Sequence, residues 1–148
     1  MTRALVIGIG NDLRGDDGAG TAVAARVAAR AAPGVRVVAV QQLGPELAEE
    51  VACADAVIFV DASTLADRVT VREVGPAPGA RAAGSHALDP AALLALCRDA
   101  YGRGPGAAWQ VEVPAAHFEV GEPLSDATRS AVHEAVAVVR ELLDRRGE

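Results

Sequence analysis

Apolar and polar positions divide the chain into alternating strands and helices. Residues Ala4 to Ile9 are continuously apolar, the pattern of a short strand buried on both faces. A glycine-rich stretch follows. Gly18 to Ala32 then reads as a helix, with Ala22, Val23 and Val27 on an apolar face and Arg26 and Arg30 on a charged one, ended by Pro33-Gly34. Val35 to Val40 is a second strand. Pro45 to Cys53 is a short helix, with Pro45 suited to the first turn and Glu46 near the positive end of the dipole. Ala56 to Val60 is a third apolar strand, running onto Asp61. Val69 to Val74 alternates apolar and polar residues, as an edge strand with one wet face does.

Gly75 to Ser85, rich in Gly, Pro and Ala, reads as a mobile loop. Asp89-Pro90 is an N-cap followed by a first-turn proline and opens a helix to about Tyr101. Gly102 to Gly106 is a loop and Ala108 to Val113 the last strand. Ser125 caps a final helix to about Arg146, with Val132, Val136, Val139 and Leu143 on its apolar face. Strands alternating with helices predict an α/β fold: a single three-layer domain over residues 1–148, with an open, mainly parallel twisted sheet of about five strands and helices on both faces. Ligands of such sheets bind beyond the carboxyl ends of the strands.

Composition narrows the classes. The chain has 148 residues, of which 51% are apolar, enough for one folded domain with a core. Its net charge is -6, which argues against nucleic acid or an anionic membrane as partner. All 14 basic residues are arginine, so lysine Schiff-base chemistry is excluded. Cys53 and Cys97 form no metal or redox pair and read as buried spectators. Met1-Thr2-Arg3 leads straight into a strand, and no run approaches the ~20 apolar residues of a membrane span. A cytoplasmic, monomeric protein is expected.

The candidate chemistry gathers where strands end. Residues Gly8 to Gly20 contain five glycines and, at Asn11, Asp12, Asp16 and Asp17, four acids or amides. A glycine loop opening a helix commonly receives a phosphate, but Asp16 and Asp17 would repel one and favour a cation. The third strand delivers Asp61 to the same sheet edge. A lone strand-end carboxylate reads equally as a loop cap, and the neighbouring Asp17 favours a shared cation. His86, in the loop before a helix, reads either as a solvated residue or as a third ligand. His117 and His133 lie in an irregular segment and on a helix flank. Two carboxylates and an imidazole suit zinc, nickel or manganese and leave positions open for water or substrate. No G-x-S-x-G elbow accompanies Ser63, Ser85, Ser125 or Ser130, and Leu13 breaks the dinucleotide fingerprint G-x-G-x-x-G.

These motifs resemble those of the nickel–iron hydrogenase maturation proteases, which trim the C-terminus of the hydrogenase large subunit. Gly8-Ile9-Gly10-Asn11 through Gly15-Asp16-Asp17-Gly18-x-Gly20 is similar to that family's N-terminal signature, Phe59-Val60-Asp61-Ala62 to its second motif and Ser85-His86-Ala87-Leu88 to its third. The resemblance covers nearly the whole chain. It implies a nickel-gated endopeptidase with Asp17, Asp61 and His86 as metal ligands, Asp17 standing where some members carry glutamate. It further implies that the metal is nickel already inserted in the large-subunit precursor, although other divalent ions could occupy the site, and that cleavage follows nickel insertion. The metal would activate the attacking water or only position the peptide. Asp16 would serve as a base, as a partner to the metal ligands, or as a helix cap. Asn11 would stabilise the tight turn.

One segment departs from the family pattern. Many members carry an acidic, glycine-rich stretch after the second strand, where this chain has Gln41-Gln42-Leu43-Gly44-Pro45-Glu46-Leu47. That segment flanks the expected substrate cleft, so the peptide preference is expected to differ. Two other readings stand beside the protease: a maturation chaperone that recognises the nickel site without cleaving, and a nucleotide-binding α/β module.

Overall fold

A computed structural model describes residues 3–77 and 88–146. Five strands form one sheet in the order β2-β1-β3-β5-β4, with β1 Ala4–Ile9, β2 Val35–Val40, β3 Ala56–Ser63, β4 Thr70–Glu73 and β5 Ala107–Pro114. All neighbours run parallel except β4, which is antiparallel to β5 at the edge. Four helices, α1 Ala19–Ala29, α2 Ala48–Cys53, α3 Pro90–Tyr101 and α4 Asp126–Arg146, cover the two faces. The expected mainly parallel α/β sheet is the one observed.

Strand alternation sorts the apolar side chains into two cores. Leu5, Ile7, Val57 and Phe59 face α2 and α3 through Val51, Leu93 and Cys97. Val6, Ile58, Val60 and Val111 face α1 and α4 through Val23, Val27, Val132 and Val139. Every residue of β1 is buried, as its central place in the sheet requires. The chain leaves β1 toward β2 on one side and reaches β3 on the other, so the strand order reverses between β1 and β3. Parallel sheets open a crevice at that reversal.

Several elements differ from the sequence reading, each for a local reason. The first helix is shorter: a 3-10 turn spans Gly15–Gly18, and α1 ends at Ala29 rather than near Ala32. Pro33 has no N–H for another helical bond, and it disfavours helical geometry in the residue before it. Pro45 likewise opens a 3-10 turn, Pro45–Leu47, before α2. β3 runs three residues past its apolar stretch, because Asp61, Ala62 and Ser63 pair with Glu112, Val113 and Pro114. Cys53 is exposed, contrary to expectation, since it closes α2 at the surface. Cys97 is buried and donates to the Ala48 carbonyl at 3.2 Å. The loop expected over 75–85 lies outside the described residues from 78 onward, and so does His86. Among the described residues no helix is long and apolar enough to cross a membrane.

Candidate active site

The glycines of the first loop serve close packing rather than phosphate binding. A side chain at Gly20 would collide with the carbonyl oxygens of Ile9 and Val60, so glycine lets the start of α1 sit directly on β1 and β3. Gly10 has φ 148°, and a side chain there would strike the Asp17 carbonyl. The chain can therefore turn back tightly enough to bring Asp17 beside the end of β1. Asn11 closes the turn: its Oδ1 accepts from the Leu13 N–H at 3.0 Å and its carbonyl from the Arg14 N–H at 3.1 Å. The Asn11 N–H donates to Asp17 Oδ2 at 3.1 Å, which holds that carboxylate at the strand end.

Adjacent residues Asp16 and Asp17 have different environments. Asp16 is 0% exposed. Its Oδ2 accepts from the N–H groups of Ala116 (3.0 Å) and His117 (3.1 Å) and from Ser125 Oγ (3.0 Å), while Oδ1 accepts from the Ser125 N–H at 2.7 Å. Burial alone would raise its pKa, but the N–H groups of Ala116, Ser125 and His117 outweigh it and hold the carboxyl well below the usual carboxylate range. Backbone bonds from Asp16 N–H to the His117 carbonyl and from Gly15 N–H to the Glu122 carbonyl complete the clamp. Asp16 thus ties the first loop to the β5–α4 connection, where Ser125 Oγ in turn accepts from the Thr128 N–H at the start of α4.

Asp17 and Asp61 line one cleft of about 350 Å³ at the reversal point, together with Ile9, Gln41, Gln42, Leu88 and Gln110. Asp61 is set by register: Ile9 of β1 and Glu112 of β5 flank it across the sheet. Its pKa is pushed up to about 6. Burial is the main cause, the Ala62 N–H opposes it, and the charges of Asp17 and Glu112 add to it. Asp16 is not among the residues lining this cleft. Leu88, two positions after His86 in sequence, lines it and pairs through an antiparallel bridge with Leu43, which also lines it. His117 lies in the irregular segment after β5, and His133 is exposed on α4.

This donor set suits a divalent cation. Two carboxylates line a partly buried cleft; burial first, and then the charges of Asp17 and Glu112, disfavour the ionised form of Asp61, and a cation there would offset both. Among the described residues no group of three or more His, Cys, Asp and Glu side chains is placed to hold a metal; His86 lies outside them. Two lining residues, Gln110 and Asp89, and one neighbour of Asp61, Glu112, have no place in the sequence reading of the site chemistry. Gln110 sits in a strand whose alternation signals only burial. Asp89 is legible only as a helix cap, and its carboxylate does accept from the Ala92 N–H at 2.7 Å. Glu112 acts on Asp61 through strand pairing that no local pattern reveals.

By sequence the chain matches no family model and no curated protein. Its fold is that of solved hydrogenase maturation proteases. It is similar to the hydrogenase maturating endopeptidase HybD from E. coli, with TM-score 0.82 and 21% identity over 99% of this chain and 94% of that one. The [NiFe] hydrogenase maturation protease HycI from Thermococcus kodakarensis KOD1 follows, with TM-score 0.72 and 22% identity over 97% and 93% of the two chains. A hydrogenase 2 maturation peptidase from Thaumarchaeota archaeon SCGC_AB-539-E09 matches with TM-score 0.71 and 22% identity over 97% and 99%.

Proposed function

We propose that the protein is an endopeptidase that removes the C-terminal extension of a nickel–iron hydrogenase large-subunit precursor once nickel has been inserted. The observation that carries this reading is the convergence of Asp17 and Asp61 on one cleft at the sheet's reversal point. Its support from outside the chain is the likeness of the fold to maturation endopeptidases along almost its full length. In this reading Asp17, Asp61 and His86 recognise the nickel carried by the precursor. Asp17 has one oxygen engaged by Asn11, which orients the carboxylate toward the cleft.

Docking through the precursor's own nickel makes the metal part of the substrate. A precursor without nickel leaves two like charges facing each other and offers nothing to hold its extension in place. With nickel bound, the same carboxylates fix the extension beside them, and proximity lowers the barrier to attack on the peptide bond. The gate thus follows from charge: the site is repulsive until a cation arrives. The chain acts on a single folded partner as a monomer, and nickel is cargo rather than a resident cofactor.

Intact-mass spectrometry tests this. The cognate precursor, nickel-loaded and nickel-free, is incubated with the wild-type protein and with Asp17→Ala. The expected result is loss of a C-terminal peptide only with nickel and only with the wild type. Binding of nickel-loaded precursor without any change in mass would replace the protease with a non-cleaving maturation chaperone.

A further inference from the structure

The cleft contains a side chain that the metal-facing reading leaves without a task. Gln110 is only 9% exposed and lines the cleft. It pairs with Phe59 across β3 and β5, so it stands on the same sheet face as Asp61, two residues nearer the sheet interior. The Arg72 guanidinium donates to its Oε1 at 2.8 Å. Arginine can only donate, so this contact fixes which end of the carboxamide is oxygen and which is nitrogen. Arg72 is itself braced by Glu112, with Nε to Oε1 at 3.4 Å. The oxygen is therefore satisfied and immobilised, while among the described residues the NH₂ group donates to no acceptor. An amide donor on the wall of a cleft, with its oxygen already held, is free to be completed by water or by a bound ligand that displaces it.

The other lining residues indicate what kind of ligand that is. The chain contains three glutamines, Gln41, Gln42 and Gln110, and all three line this one cleft. Carboxamides are neutral and both donate and accept, which matches a peptide main chain better than a charged side chain. Gln41 and Gln42 are exposed at the rim and Gln110 lies within. A main-chain carbonyl of an extended peptide lying beside the carboxylate pair would supply the missing acceptor.

We propose that Gln110 is a substrate-binding residue whose carboxamide NH₂, held in place by Arg72, donates to a main-chain carbonyl of the precursor's C-terminal extension. Arg72 is then a positioning residue that acts through Gln110. The role rests on the protease reading above and deepens it by identifying how the cleft holds peptide irrespective of side chains.

Two substitutions separate this role from a structural one. Gln110→Glu keeps the volume and the oxygen that Arg72 holds; it replaces the NH₂ donor by an acceptor and adds a negative charge that Arg72 pairs but that also faces Asp61. Gln110→Met keeps the volume and removes both. Cleavage of nickel-loaded precursor is followed by intact mass over a range of precursor concentrations, with the melting temperature of each variant measured alongside. Loss of the donor predicts that both variants fall in kcat/KM by about 10-fold or more while remaining folded at the assay temperature, the neutral Gln110→Met showing that the added charge of Gln110→Glu is not the cause. Wild-type cleavage by Gln110→Glu would reduce Gln110 to an anchor for Arg72, and wild-type cleavage by Gln110→Met would show that no donor is needed there; either result overturns the proposal. Failure of the wild type itself to cleave nickel-loaded precursor would instead remove the protease reading, and this role with it.

Discussion

Replacing Asp61 by asparagine is expected to stabilise the folded protein while disabling its site. The carboxyl of Asp61 is pushed up from the ordinary 3.8 to about 6, chiefly by burial and further by the charges of Asp17 and Glu112. A raised pKa means that the folded state binds this proton more tightly than the unfolded chain does. The contribution of Asp61 to stability is therefore greatest below about pH 4, falls as the pH rises toward 6, and stays at the lower level above it. A shift of this size corresponds to about 3 kcal/mol of destabilisation at neutral pH. Asparagine carries no charge to bury and none to repel Asp17, yet its Oδ1 can still accept from the Ala62 N–H. Asp61→Asn should recover about 2–3 kcal/mol at pH 8, a rise of roughly 5–10 °C in melting temperature for a domain of this length, and almost nothing at pH 4. Urea unfolding in the presence of a chelator, from pH 4 to pH 8, reads the difference directly. Asp17→Asn should narrow the same pH dependence, because it removes one of the two charges acting on Asp61. A variant less stable than wild type at pH 8, or a gain independent of pH, would refute the account of Asp61 as a carboxylate penalised by burial and by neighbouring charges.

Two further predictions rest on the same carboxylate logic. Asp16→Asn removes an acceptor that serves three backbone N–H groups and a hydroxyl in a fully buried position, and should cost about 2–4 kcal/mol at pH 7. The wild-type Asp16 carboxyl is held below the usual range, so its contribution is present above the ordinary carboxylate pKa and is lost as the pH falls below it; the gap between variant and wild type in chemical unfolding should shrink under acid. Asp89→Ala removes the cap of α3 and should lower stability by about 1 kcal/mol in urea unfolding.

Local patterns were enough for much of the architecture. β1 and β2 begin and end where their apolar runs do, and α3 starts where Asp89-Pro90 places a cap and a first-turn proline. The edge position of β4 follows from its alternation, and the parallel sheet from the order of elements. The same patterns lead from the acidic loop and the strand-end aspartate to one cleft, because both elements open at the carboxyl edge of neighbouring strands. What escaped them depends on contacts distant in sequence. β3 extends past Val60 only because β5 offers partners for Asp61 to Ser63. Asp16 and Asp17 are indistinguishable as letters, and only the β5–α4 connection, about a hundred residues later, separates a buried clamp from a cleft-facing group. Gln110 is one polar residue in a strand, and its meaning comes from Arg72 on the adjoining edge strand.

The Asp16 clamp also bears on the order in which the molecule is completed. The loop carrying Asp17 leaves the ribosome early, but the groups that hold it, at Ala116, His117 and Ser125, are among the last third of the chain to be made. The cleft cannot acquire its working shape on a nascent chain that has only its first three strands. Asn11 can hold the Asp17 carboxylate locally, but the loop is anchored through Asp16 only after the start of α4 has docked, so the packing of the first loop is completed late in synthesis.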